Sequence, residues 1–220
     1  NELGTKSISK LLFSMAIPAI TAQVINLLYN MIDRMYIGHI PEVGATALTA
    51  VGVTMPIIMV ISAFAALVSM GGAPRSSIMM GKGDKDTAEK ILGNCTTALV
   101  LISVTLTAVG LIFGEKMLMT FGASENTIKY ALDYLNIYAF GTLFVQLALG
   151  LNAFITAQGF AKMSMLTVLV GAVLNIILDP IFIFGFNMGV KGAALATVIS
   201  QGVSALLVMK FLTGNKTLLK

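Results

Sequence analysis

Two aspartates, Asp33 and Asp179, lie inside long apolar stretches of the chain. A carboxylate deep in a membrane helix costs about 2.5–3.5 kcal/mol on insertion scales, so it normally faces a cavity, a partner or an ion. Each has polar company at helical spacing. Asn26, Tyr29 and Asp33 stand at i, i+3 and i+7, and Asn175 and Asp179 at i and i+4, so each set shares one helix face. Carboxylate, amide and hydroxyl oxygens are what a proton or a small hard cation takes as partners.

Depth brings a third segment into the same layer. At ~1.5 Å rise per residue, Asp33 lies roughly 7 Å and Tyr29 roughly 13 Å inward from Gly38. Counted from Gly185, Asp179 is about 9 Å and Asn175 about 15 Å deep; counted from Val190, Thr197 is about 10 Å and Gln201 about 16 Å deep. Pro180 removes a backbone donor and displaces the carbonyl of Ile176, so a broken helix with one more free oxygen is expected beside the layer. Asp133, near a helix end, is read as structural. Arg34 points about 100° away from Asp33 on its own helix and is expected to snorkel to the headgroups.

The elements that must hold these residues follow from composition. Of 220 residues, 57% are apolar and 11% charged, with a mean hydropathy of +0.91. Soluble domains carry about 45–50% apolar and about 25% charged residues, which excludes a soluble enzyme. A bilayer core of roughly 30 Å needs about 20 apolar residues in a helix. Windows of that kind run from Leu11 to Gly38, Ala45 to Met70, Ile91 to Phe113, Tyr130 to Ala157, Met163 to Phe184 and Val190 to Met209. They lack the period-2 alternation of barrel strands, and the first is too long for a cleaved signal peptide. The expected fold is therefore an all-α membrane protein, a bundle of six transmembrane helices in a single domain over residues 1–220. Asp86 and Glu89 fit a capping box that starts the third helix with Asp86 as N-cap. The Gly81/Gly83 pair reads as a turn and lacks the rest of a phosphate loop.

Assigning alternate connections to opposite sides places Lys6, Lys10, Arg75, Lys82, Lys85, Lys90, Lys162, Lys210, Lys216 and Lys220 on one side. Arg34, Lys116, Lys129 and Lys191 fall on the other. The positive-inside rule then puts both termini in the cytoplasm of a multi-pass protein of the cell membrane, with the lipid bilayer as its solvent. The formal charge of +4 is a topology signal and not a nucleic-acid surface. The single cysteine, Cys95, excludes a disulfide scaffold and reads as a small buried apolar residue. His39, the only histidine, sits at a helix end without a nucleophile beside it, so neither a catalytic residue nor an organic cofactor is expected.

The residues also match a family. Ile17-Pro18-Ala19-Ile20, Leu28-Tyr29-Asn30-Met31-Ile32-Asp33-Arg34 and Tyr36-Ile37-Gly38 resemble the first helix of the MATE multidrug and toxic compound extrusion transporters. Ala50-Val51-Gly52-Val53 with Pro56, the loop Met80-Gly81-Lys82-Gly83-Asp84, and Asn175-Ile176-Ile177-Leu178-Asp179-Pro180 leading to Gly192-Ala193-Ala194, Thr197 and Gln201 agree with it. The resemblance implies two six-helix bundles around a central cavity, of which this chain supplies one, and antiport of a cation against a lipophilic cationic drug. It implies that Asp33, Asn175, Asp179 and Thr197, with Tyr29 nearby, form the proton or sodium site; these four are metal ligands only if the ion is sodium. Family members are about twice as long and the chain starts at Asn1, so an amino-terminal lobe is expected, its partner being a second lobe or another copy of itself.

Candidate polar residues of the drug cavity are Gln23, Asn26, Gln146, Asn152 and Gln201. The 14 Met and 12 Phe residues suit an adaptable apolar surface, although most are expected to face lipid or pack helices. Two alternatives stay open. A lipid-linked-precursor flippase would need Arg or Lys well inside the spans, and none lies there; a structural membrane subunit would leave both aspartates replaceable.

Overall fold

The computed structural model describes residues 8–214 and 217–219, so Lys6, Lys216 and Lys220 of the charge tally lie outside the described residues. Among the described residues six helices are long and apolar enough to cross a membrane. They are α1 (Ile8–Gly38), α2 (Gly44–Gly81), α3 (Lys85–Thr120), α4 (Ile128–Ala157), α5 (Ala161–Pro180) and α6 (Val190–Leu212). The chain is thus an all-helical bundle, as its hydropathy demands, because a backbone in lipid must satisfy its own hydrogen bonds.

Helices α2 and α3 overrun their apolar windows. Arg75, Lys85, Lys90 and Lys116 are helical and not in connections, since a helix ends where its caps are, not where hydrophobicity stops. Asp84, not Asp86, is the N-cap of α3: its carboxylate accepts from the Thr87 N–H at 3.1 Å. Gly83 at φ +80° turns the chain early and leaves Asp86 in the first helical turn, where its charge still favours the helix dipole. Hydrogen bonds from Thr87 hold the exposed Asp84 carboxyl below the usual carboxylate range.

The helix after Asp179 is not broken either. α5 continues through Pro180 into a single π-helical turn, Ile181–Gly185, closed by Phe186 N–H to the Ile181 carbonyl at 2.9 Å. A π turn absorbs the donor lost at proline by widening rather than breaking the helix. The N-terminus of α6 packs on this turn, and a Cβ at Gly192 would stand 2.7 Å from the Phe182 carbonyl carbon.

Helices α4 and α6 form the middle of the bundle. In their apolar windows 56% and 50% of residues are buried, against 6% for α1, which lies at the perimeter and packs chiefly on α5. Two apolar clusters fill opposite ends. One gathers Ile37, Val51, Ile57, Tyr134, Leu135, Ile183 and Val190; the other gathers Leu92, Leu99, Leu151, Phe154, Val208 and Leu212. The second is sealed by Leu219, where the Gln158 Oε1 accepts from the backbone N–H groups of Leu218 and Leu219 at 2.8 and 3.3 Å. Lys191 pairs with Asp133 at 3.4 Å, tying α6 to α4 at the other end.

Gly192→Ala is expected to destabilise the detergent-solubilised protein by about 1–3 kcal/mol, because the obstruction is backbone and cannot rotate away. Gly52→Ala, with nothing within 4 Å, is expected to be neutral or stabilising by up to ~1 kcal/mol. Equal melting temperatures for the two variants would contradict this packing.

Candidate functional site

Between the two apolar clusters runs a polar layer built by α1, α4, α5 and α6. The i, i+4 pair of α5 and Thr197 of α6 meet directly: the Asn175 amide donates to Asp179 Oδ1 and to Thr197 Oγ1, each at 3.4 Å. Helix α1 brings Asp33 to the same place, with its carboxyl within hydrogen-bonding reach of Asp179. Asp179 and Asn175 are buried completely or nearly so, and Asp33 and Thr197 are almost as enclosed. Tyr29 stands one turn away on α1, within reach of Gln201 and of the field of both carboxyls.

The defining property of this cluster is an excess of acceptors. Asp33 Oδ1, Asp179 Oδ2 and Asn175 Oδ1 are buried without a hydrogen-bond partner, as is the Ser200 hydroxyl, which can donate as well as accept. The Asn175 NH₂ is already spent on two long bonds. Two carboxyls hydrogen-bond to each other only when a proton lies between them, and otherwise repel. The donor set of two carboxylates, an amide oxygen and a hydroxyl therefore fits a proton or a small hard monovalent ion.

A cavity of about 40 Å³ opens beside the pair, lined by Tyr29, Asn152, Asn175, Thr197, Ser200 and Gln201 among others. At ~10–15 Å³ per enclosed water it holds roughly three waters. Drug-sized ligands need about 300–1,000 Å³, so this space inside the bundle admits water or an ion and no drug.

The structure distributes the other candidates unevenly. Asn26, Asn152 and Gln201 line this cavity. Gln23 is exposed on the outside of α1. Gln146 is wholly buried and donates to the Ile61 carbonyl at 2.7 Å, so it ties α4 to α2 away from the cavity. Arg34 is exposed, and the His39 ring meets the Met35 carbonyl at 2.7 Å at the end of α1. Cys95, expected to be buried, is only half-buried; its sulfur packs where Gly72 of α2 leaves room for it. Two tyrosines of α4 were missed: Tyr134 reaches Thr197 and feels Asp33, and Tyr138 stacks on it with ring centroids 6.2 Å apart. Their i, i+4 spacing on one face of the fourth helix was the available signal. Ser200, one position before Gln201, was missed because serine is common in apolar helices.

The MatE family model matches residues 18–181. The chain is 30% identical over 213 residues to the multidrug export protein MepA of Staphylococcus haemolyticus, covering 96% of this chain and 47% of that protein. It is 28% identical over 211 residues to MepA of Staphylococcus aureus, covering 94% and 45%. Among solved structures it superposes on a MATE protein in the bent conformation with TM-score 0.89 at 27% identity, covering 96% of this chain and 47% of that one. On the same protein class in the straight conformation the TM-score is 0.88 at 27% identity, covering 96% and 46%. The chain spans about half the length of the curated relatives it matches.

Asp33→Asn or Asp179→Asn gives the cluster a donor that it lacks, and is expected to stabilise the protein by about 1–2 kcal/mol at pH 8 without added sodium. Asn175→Asp removes the NH₂ donor and adds a third acid, and is expected to lower stability. Thermal unfolding of the three variants checks both signs.

Proposed function

The chain belongs to the MatE family, and from that premise we propose that it is the cation-handling six-helix lobe of a multidrug exporter. The observation that carries the proposal is the Asp33–Asp179 pair with its unpartnered oxygens. Binding of H⁺ or Na⁺ there neutralises charge that the low-dielectric interior disfavours. Asp33 rides on α1, the least buried helix, so a change in the charge of the pair acts on the element that can shift with least loss of packing. Pro18 lies within α1 and lets it bend. Coupling requires only that cation and drug prefer different positions of α1. A potential of 100 mV adds about 2.3 kcal/mol per net charge moved, so it contributes only where more positive charge enters than leaves with the drug; in one-for-one exchange with a monovalent drug cation the concentration gradient of the ion alone drives export.

The drug itself belongs outside the bundle. The small cavity excludes it, whereas α1 and α2 expose apolar side chains that include Met31, Met35, Met59 and Met70, an adaptable surface for flat lipophilic cations. A second six-helix lobe, or another copy of the chain, supplies the opposite wall. Among the described residues, Lys10, Lys82, Lys85, Lys90, Lys162 and Lys210 gather at the end of the bundle that carries the α2–α3 and α4–α5 turns. That end is the cytoplasmic one, and the start of α1 and the end of α6 lie with it.

In membrane vesicles carrying the exporter as the cell encodes it, Asp33→Asn and Asp179→Asn are each expected to reduce efflux of a cationic dye at least about tenfold, the range of a typical coupling free energy. Asp133→Asn, whose partner is Lys191, is expected to retain efflux. Undiminished efflux in both of the first two variants would defeat the proposal. Efflux in sodium-free buffer, with and without a pH gradient, separates proton from sodium coupling.

A further inference from the structure

The two ends of the Asn175 amide lie in different surroundings. Its NH₂ donates to Asp179 Oδ1 and to Thr197 Oγ1, each at 3.4 Å, while its Oδ1 is buried without a partner. Asn175 also lines the cavity of about 40 Å³ beside the pair. Half a rotation about the last side-chain bond exchanges oxygen and nitrogen with almost no change of shape. The two settings therefore differ in hydrogen bonding and not in packing.

The carboxyl pair decides which setting is favoured. Free of cation, both acids are acceptors, and an NH₂ turned to Asp179 supplies hydrogen to a place that lacks it. With a proton or a metal ion on the pair, an oxygen is wanted there and an NH₂ facing the added charge is repelled, so Oδ1 becomes the better end. Thr197 serves both settings, since a hydroxyl accepts from the NH₂ in one and donates to Oδ1 in the other.

A turned amide needs acceptors for its hydrogens on the cavity side, and two stand idle there. Ser200 Oγ and Asn152 Oδ1 are buried without partners and belong to residues that line the same space. Ser200 is 2% exposed and follows Thr197 at i, i+3 on α6, one helical turn along the same face. Its idle hydroxyl is unusual for this chain, where helical Ser and Thr return the hydroxyl to their own backbone, as Thr96 does to Leu92 and Ser103 to Val100. Asn152 is oriented by its own bond: its NH₂ donates to the Ser164 carbonyl at 3.4 Å, which leaves its oxygen as the end without a donor. The cavity has room for roughly three waters, so a hydrogen bond across it forms directly or through one of them.

We propose that Asn175 is a two-position switch: its NH₂ faces Asp179 and Thr197 in the cation-free lobe, and turns to Ser200 and Asn152 as its oxygen turns to the bound cation. Ser200 and Asn152 are then positioning residues that act through Asn175 without touching the ion. The switch rests on the reading of the pair as a cation site, and it needs neither a backbone movement nor a path through the bundle. The other ionisable groups that face or feel the pair are Tyr29 and Arg34 of α1 and Tyr134 of α4; substitutions at 152 and 200 leave all of them in place.

The purified full exporter is melted in choline chloride at pH 8 with increasing Na⁺, and in choline chloride with falling pH, so that both candidate cations are probed. Ser200→Ala and Asn152→Leu are each expected to raise the half-stabilising cation concentration at least about threefold, the range of one neutral hydrogen bond. Ser200→Thr, which keeps the hydroxyl, is expected to restore it. In exporter labelled with ¹⁵N-asparagine, the Asn175 side-chain signal is assigned by its loss in Asn175→Asp. Its NH₂ hydrogens are expected to show nuclear Overhauser contacts to Asp179 without cation and to Ser200 with it. Contacts that stay on Asp179 in the cation-loaded protein, or half-points unmoved in both Ser200→Ala and Asn152→Leu, overturn the switch. Asp33→Asn and Asp179→Asn report on the site itself, so loss of the cation response in them alongside unmoved half-points at 152 and 200 sinks the switch and leaves the cation site standing. A parent protein indifferent to both cations sinks the two together.

Discussion

Oxygen acceptors outnumber the hydrogens available to them at one level of this bundle, and everything else about the site follows from that imbalance. Asp33, Asp179 and Asn175 each keep a free buried oxygen, and the Asn175 amide spends its hydrogens on Asp179 Oδ1 and Thr197 Oγ1, each at 3.4 Å, near the limit of a useful bond. In water such a shortage costs nothing. Within a hydrocarbon slab each idle acceptor forgoes solvation, and two facing carboxyls add repulsion. A cation removes both penalties at once, and its departure restores them.

The surrounding architecture keeps that imbalance from relaxing on its own. α4 and α6 are gripped on several sides, and Gly192 lets α6 press against the π turn that follows Asp179. The Asn175, Asp179 and Thr197 positions are thereby fixed on a stiff frame. Asp33 alone is carried by a helix with an open flank. Under the proposed function, one acid on a packed frame and one on a helix with an open flank would let a change of charge become a change of shape.

Size separates two tasks. The enclosed space takes a few waters or an ion, while the broad apolar faces of α1 and α2 are left unburied by the bundle itself. Under the proposed function, cation and drug have no common volume to compete for within this chain, and an exchange between them would pass through helix position.

The helical class, the number of spans and the acids worth attention were legible in the sequence, because hydropathy and the period of 3.6 are local properties and a carboxylate in an apolar run is conspicuous. Depth counting even placed Asp33, Asn175, Asp179 and Thr197 in one layer. The boundaries were less legible: the ends of α2 and α3 and the cap at Asp84 depend on turn geometry at Gly83, and the π turn after Pro180 depends on α6 packing against it. Which polar residues face each other lay beyond the sequence altogether. Gln146 and Asn152 are alike in type and six positions apart, yet one bonds the Ile61 carbonyl between α4 and α2 and the other lines the cavity, because helix rotation is set by how neighbouring small residues let backbones approach. Tyr134 and Ser200 joined the site only through contacts between helices distant in the chain. The sequence by itself determined that charge would be held inside a membrane; the tertiary structure decided which oxygens are left idle there and which helices enclose the space beside them, because that depends on how the helices are rotated against one another.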